Sequence, residues 1–283
     1  MINQMNLTKF RSQINRRQIA LPQDHGSWVF LLSPLLIGLF AGEKLNYGSI
    51  ILIFATLSGF LIRQPITTLI KIYSGRRNRR DLPAALFWST VYAATGLMAV
   101  VLLIYLGYGF VLYLAIPGIL VFSWHLYLVS RRSERRQAGV EIAASGVLAL
   151  AAPAAYWIEI NGYNPTGWWL FILTWFQSAA SIVYAYLRLE QRQLSGPTNL
   201  KTKLILGRRA IIYTSFNLVT VAIFSFSGGL PSFLPLPYLI QWAETIWGTI
   251  HPAIGFKPTQ IGIRQLIVST IFTVTFIITW QIS

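Results

Sequence analysis

The sequence predicts an all-α polytopic transmembrane helical bundle of about nine spans, N-terminus inside and C-terminus outside. Three observations predict it. Of 283 residues, 54% are hydrophobic and only 11% are charged, whereas soluble domains carry about 25% Asp, Glu, Lys and Arg. Mean hydropathy is +0.56. Apolar runs recur along the chain, several close to the roughly 20 residues that carry a helix across hydrocarbon, and the cations lie between or near the ends of these runs.

In order, the runs are Ser27–Gly42, Gly48–Ile72, Pro83–Tyr105, Phe110–Val129, Val140–Ile158, Gly167–Leu187, Ala210–Ser227, Tyr238–Ile254 and Gln265–Ile282. The first is short and the eighth is interrupted by polar residues. Prolines 231, 235 and 237 put Ser227–Pro237 in an outer loop, because closely spaced prolines break a helix. Ser195-Gly196-Pro197 is a turn signal, so Leu189–Arg209 is expected as a surface loop beside the sixth span. Residues 1–24 read as a basic cytoplasmic segment without the apolar core of a signal peptide, and 25–283 as the transmembrane domain.

Charge orients this map, since cytoplasmic loops are enriched in Lys and Arg. With the N-terminus inside, the inner loops hold Arg76, Arg77, Arg79 and Arg80; Arg131, Arg132, Arg135 and Arg136; Arg192, Lys201, Lys203, Arg208 and Arg209; and Lys257 and Arg264. Of 23 Lys and Arg, only Lys44 falls in an outer loop.

The net charge of +15 would suggest nucleic acid in a soluble protein. Spread between membrane spans, it points instead to membrane lipids and anionic headgroups, and away from nucleic acid. There is no cysteine, which excludes disulfides, thiolate metal sites and a cysteine nucleophile.

Ionisable residues inside a membrane are functional candidates by default. Asp24 and His25 stand where the chain enters the first span. Asp24 fits a helix cap, and His25 fits an acid/base role because imidazole titrates near neutral pH. Arg63, in Arg63-Gln64-Pro65, lies about a dozen residues from the nearest inner loop, too deep to snorkel easily. It calls for a buried partner such as Glu244, or for an anionic ligand. Pro65 deprives the Leu61 carbonyl of its partner and should kink the helix. Lys71 falls two turns beyond Arg63, and Arg76 follows; the three can line a basic funnel or serve as topology anchors.

In the sixth span Gln177, Ser181, Tyr184 and Arg188 recur at three- and four-residue spacing, so they share one stripe. Arg188 and Arg192 are candidates for a phosphate or carboxylate ligand, interhelical hydrogen bonding being the alternative. Gly38 and Gly42 have the spacing of close helix packing. Glu244, with Asp24 and His25, completes the groups available for proton transfer. Glu141 offsets a helix dipole. No histidine pattern suits a metal.

Leu21–Gly42, "LPQDHGSWVFLLSPLLIGLFAG", resembles the YwiC-like family of bacterial integral membrane proteins, as do "RQP", "RRNRRDLP" and "KPTQIGIRQL" further on. Asp24 stands where that family's motif has Glu. Nine helices, N-inside, with the longest polar loops after the second and sixth, is more distantly similar to the UbiA superfamily of prenyltransferases. That resemblance implies a UbiA-like bundle with a cytoplasm-facing cavity for an isoprenoid or lipid (di)phosphate. The family holds diphosphate through Mg²⁺ on aspartate-rich motifs. At the matching places this chain has Arg63, Lys71 and Arg76, then Arg188, Glu190 and Arg192. Mg²⁺ is therefore not supported by the sequence, and guanidinium groups can take a phosphate directly. The expected site is Arg63, Lys71, Arg76, Gln177, Tyr184, Arg188 and Arg192 for binding, with any catalysis being prenyl- or lipid-group transfer. An organic-anion transporter and a non-catalytic membrane scaffold are the alternatives.

Overall fold

A computed structural model describes residues 16–22, 25–42, 45–132, 138–194, 196 and 199–282. The regular structure among them is helical throughout: α1 (Arg17–Ala20), α2 (His25–Ala41), α3 (Tyr47–Leu61), α4 (Arg63–Tyr73), α5 (Leu82–Tyr105), α6 (Ala115–Ser130), α7 (Ala138–Ala149), α8 (Ala151–Glu159), α9 (Thr166–Gln191), α10 (Leu200–Phe226), α11 (Pro235–Ile250) and α12 (Pro258–Gln281). Short 3-10 turns precede α5 (Arg79–Asp81) and α6 (Gly109–Leu114). Helices occupy all nine apolar runs. Among the described residues, seven helical stretches are long and apolar enough to cross a membrane, while Gly26–Ala41 is a shorter apolar one.

Several boundaries differ from the sequence expectation, each for a local reason. The second run breaks at Ile62 between α3 and α4, three residues before Pro65, as the missing N–H requires. The fifth run breaks too, at Leu150, three residues before Pro153; that interruption was not anticipated. Pro235 and Pro237 do not lie in a loop. They fall in the first turn of α11, where the backbone N–H groups would have no partner in any case. The basic stretch after the sixth span is only partly loop. Asn199 accepts from the Thr202 N–H at 2.8 Å, and this cap starts α10 at Leu200, ten residues ahead of the apolar run. Pro258 likewise opens α12 early and takes Arg264 out of the loop into the helix.

The chain forms two compact units: Met1–Asp24 with Lys44–Gln137, and His25–Glu43 with Ala138–Ser283. In the first, α1 is not a free surface segment. Ile19 is buried with Ile72, Ala84 and Ala85, and the Ala20 carbonyl accepts from Tyr92 Oη at 3.0 Å. Helix α4 ends at Gly75, whose φ of +72° lets Arg76 N–H reach back to the Lys71 carbonyl at 2.8 Å, a closure that favours glycine.

The core of the second unit packs Ile37, Leu170, Leu173, Tyr238, Phe272 and Phe276. Its helices approach closely where side chains are absent. A Cβ on Gly38 would lie 2.3 Å from the Ala152 carbonyl oxygen, and one on Gly42 would meet the Glu159 side chain. The Gly38–Gly42 spacing therefore marks a true contact, between α2 and α8. Ser33 and Thr273 share a hydrogen bond of 2.6 Å, and Gln281 Nε2 donates to the Phe40 carbonyl at 3.1 Å, so α2 and α12 run parallel.

Two outcomes follow. Gly38→Val should cost about 1–3 kcal/mol through overpacking against backbone, read as a lower unfolding temperature in detergent. Because the chain has no cysteine, single cysteines report sidedness. Arg79→Cys and Lys257→Cys are expected to react with an impermeant maleimide from the cytoplasmic face, and Gly162→Cys from the other.

Candidate functional site

The polar stripe of α9 is buried in the second unit: Gln177, Ser181, Tyr184 and Arg188 are each at most 6% exposed. Low-dielectric surroundings demand that such groups be paired, and α11 and α12 supply the partners. Gln241 Nε2 donates to the Gln177 carbonyl at 2.9 Å and to Ser181 Oγ at 3.0 Å. Gln177 Nε2 donates to Ser181 Oγ at 3.1 Å and to Ser269 Oγ at 3.2 Å. Two turns along α9 from Gln177, Tyr184 Oη donates to Glu244 Oε1 at 2.8 Å. Arg264 grips the same carboxylate with two bonds, Nε to Oε1 at 2.6 Å and Nη2 to Oε2 at 2.8 Å. This fork geometry is the strong form of such a pair. The Arg264 guanidinium also lies 3.9 Å from the centre of the Trp247 ring, against which His251 stacks at 4.7 Å.

The next layer is set by the end of α11. The last carbonyls of any helix have no N–H partner within it, and the negative end of the helix dipole favours cations there. Arg188, 2% exposed, donates to the carbonyls of Gly248 and of His251, the latter at 2.7 Å, and to Gln191 Oε1 at 2.9 Å. Gln191 Nε2 adds a bond of 3.1 Å to the Gly248 carbonyl. Lys203 Nζ donates to the Ile250 carbonyl at 2.9 Å, and Arg192 Nε to the Phe256 carbonyl. Gly248 is required here, since a Cβ would lie 1.9 Å from Tyr184 Oη. These bonds gather the C-terminal ends of α9 and α11 and the N-terminal end of α10 at one charged end of the unit.

The first unit has its own charged end. Asp81 is held by Arg16 and by Arg77, the latter at 2.6 Å. Arg76 donates to the Val129 carbonyl and, at 3.2 Å, to Ser74 Oγ. Arg63 opens α4, half-buried, with its guanidinium 5.6 Å from the Phe60 ring centre. Lys71 lies in the last turn of that helix. Gln64 Nε2 donates to the Gln18 carbonyl at 3.0 Å.

Set against the sequence-derived site, the stripe Gln177, Ser181, Tyr184, Arg188 is one surface, and it meets Glu244. Arg188 and Arg192 were candidates for a ligand, with interhelical hydrogen bonding as the alternative; their guanidiniums donate to backbone carbonyls at the end of α11 and beyond it. The cation that clasps Glu244 is Arg264, where the expected partner was Arg63. Asp24 lies outside the described residues, as does the side chain of His25. Sequence reasoning missed Arg264, Gln191 and Trp247. The signal for Arg264 was Pro258, which starts α12 early and carries the arginine into the bundle. Among the described residues no three His, Asp or Glu converge as a metal site would need.

Removing the Arg188 donors leaves the His251 carbonyl without that bond and the Gly248 carbonyl with Gln191 alone, a loss of about 1–3 kcal/mol in all. Arg188→Met should thus lower the unfolding temperature in detergent without any ligand, and Arg188→Lys should restore only part of it, since an ammonium is more strongly hydrated than a guanidinium and costs more to bury. A fully stable Arg188→Met protein that had lost lipid binding would instead make Arg188 a ligand contact.

Comparison with known proteins adds two findings. Residues 21–156 match the family model described as "YwiC-like protein". A solved structure, described as "Structural and mechanistic insights into the biosynthesis of Digeranylgeranylglyceryl phosphate synthase in membranes", superposes with a TM-score of 0.56 over 98% of this chain and 99% of that one, at 12% identity. No curated protein sequence matches. At that identity the likeness establishes the fold alone. Helical throughout its described regular structure, with seven apolar helices of spanning length, the chain is an integral multi-pass membrane protein, similar over residues 21–156 to the YwiC-like family model and alike in fold to that solved membrane protein.

Proposed function

We propose that this protein binds an isoprenoid or other lipid with a phosphate or diphosphate head, taken up from the cytoplasmic side, with Arg63, Lys71 and Arg76 as head-binding residues. The observation that carries the reading is the charge balance of the first unit. Arg16, Arg17, Arg63, Lys71, Arg76, Arg77, Arg79, Arg80, Arg131 and Arg132 stand against one described carboxylate, Asp81, itself clasped by Arg16 and Arg77. An excess of fixed positive charge beside hydrocarbon favours anionic ligands. Planar guanidiniums suit phosphate oxygens directly.

Independently of that head site, the second unit carries an apolar face of its own suited to lipid. Helices α2 and α12 flank an apolar groove of about 430 Å³, lined by Trp28, Leu32, Leu36, Phe40, Leu266 and Val274 among others. Ligand pockets commonly span about 300–1,000 Å³. From Leu266 to Ile278 it follows α12 for about 18 Å, along the direction in which lipid chains lie. The name of the solved neighbour's protein, digeranylgeranylglyceryl phosphate synthase, joins an isoprenoid body to a phosphate, the same ligand class. Transfer of a prenyl or lipid group is the reaction such a ligand would undergo.

Arg63→Ala should abolish retention of a prenyl diphosphate while the protein still inserts and purifies, measured by native mass spectrometry. Retention equal to that of the wild type counts against the proposal. A Leu36→Trp change filling the groove should weaken binding of long-chain lipid and spare a short-chain analogue.

A further inference from the structure

The first ten residues of α10 have no place in the site just described. Helix α10 has 27 residues, about 40 Å at 1.5 Å per residue, against a hydrocarbon core of about 30 Å. The surplus, about seven residues, falls at its N-terminal end, where Lys201, Lys203, Arg208 and Arg209 lie. A wholly polar surface would be expected at that level. Yet Leu200, Leu204 and Ile205 are 57%, 43% and 57% exposed. With Lys201 and Arg208 they line one shallow concavity of about 610 Å³. The spacing explains this. Positions 200, 204 and 208, and positions 201, 205 and 208, recur every three or four residues, so all five lie on one side of the helix.

We infer that this concavity is a binding site for one anionic phospholipid of the surrounding bilayer. Lys201 and Arg208, two turns apart on one face, converge on the phosphate. Leu200, Leu204 and Ile205 lie against the upper part of an acyl chain. Lys203 is not part of the site; it caps α11 through the Ile250 carbonyl. Charge selects the occupant. No Asp or Glu occurs between Glu190 and Glu244, so a second copy seated on this face would oppose cation to cation. A free anion would leave the three aliphatic side chains uncovered. A zwitterionic lipid would gain little from the two cations. Binding would fasten the charged end of α10, and through Lys203 the end of α11, to the headgroup layer.

The test titrates full-length protein in detergent with phosphatidylglycerol or phosphatidylcholine and reads bound lipid by native mass spectrometry. The wild type should retain phosphatidylglycerol in preference. The double variant Lys201→Gln/Arg208→Gln should bind it roughly thirtyfold more weakly at low salt, the factor that two surface cations supply. Leu204→Ser/Ile205→Ser should weaken it as well. All four residues are at the surface, so folding is spared, which circular dichroism checks. Equal retention of the two lipids, or unchanged phosphatidylglycerol binding by the double variant, overturns the inference. So does displacement of the lipid by inorganic phosphate at matched concentration, which would mark a free-anion site. The double variant also separates this site from the prenyl-diphosphate proposal: Lys201→Gln/Arg208→Gln should keep prenyl diphosphate retention at the wild-type level, and loss of both ligands together would overturn a separate site on α10.

Discussion

A helix end packed against its neighbours must find hydrogen-bond partners for its last carbonyls, and the end of α11 shows how this chain meets that constraint. The carbonyls of Gly248, Ile250 and His251 are left over where α11 stops, and Arg188, Gln191 and Lys203 come from α9 and α10 to satisfy them. Placing a cation there also neutralises the dipole end. Once Arg188 is committed in this way, much of the second unit follows. Tyr184 must lie one turn earlier on α9, Gly248 must lack a side chain to admit it, and Glu244 falls opposite the Tyr184 hydroxyl. Arg264 then supplies the charge that Glu244 needs.

Cations in this protein therefore divide by what they hold. Some complete the backbone, as Arg188, Arg192 and Lys203 do. Some hold a carboxylate, as Arg264, Arg16 and Arg77 do. Others outnumber the described carboxylates of their unit. The neighbour of known structure shares the path of the chain over nearly its whole length. At 12% identity that likeness speaks for the fold, and chemistry has to be argued from this chain's own residues.

Close helix contact is arranged by the absence of side chains. Gly38 and Gly42 admit α8 against α2, and Gly248 admits the Tyr184 hydroxyl. In a membrane the hydrophobic effect adds little between helices, so packing distance and buried hydrogen bonds carry the association. The Gln177–Ser181–Gln241–Ser269 network supplies the second of these deep in the unit. Its amide and hydroxyl groups are neutral, which spares the cost of burying charge.

The sequence by itself determined the class of fold, the apolar middles of the helices and the polar face of α9. Length and hydropathy set the spans because hydrocarbon thickness is a fixed ruler, and helical periodicity alone places Gln177, Ser181, Tyr184 and Arg188 together. Pro65 likewise announced the break before α4. What the sequence could not decide is which partner each buried polar group takes. Arg264 is 20 residues from Glu244, Arg188 is 60 from Gly248, and Arg63 was an equally plausible partner for Glu244 on composition. Electrostatic attraction is blind to sequence separation, so these pairings exist only once α9, α11 and α12 have packed and fixed which donor is within 3 Å of which acceptor.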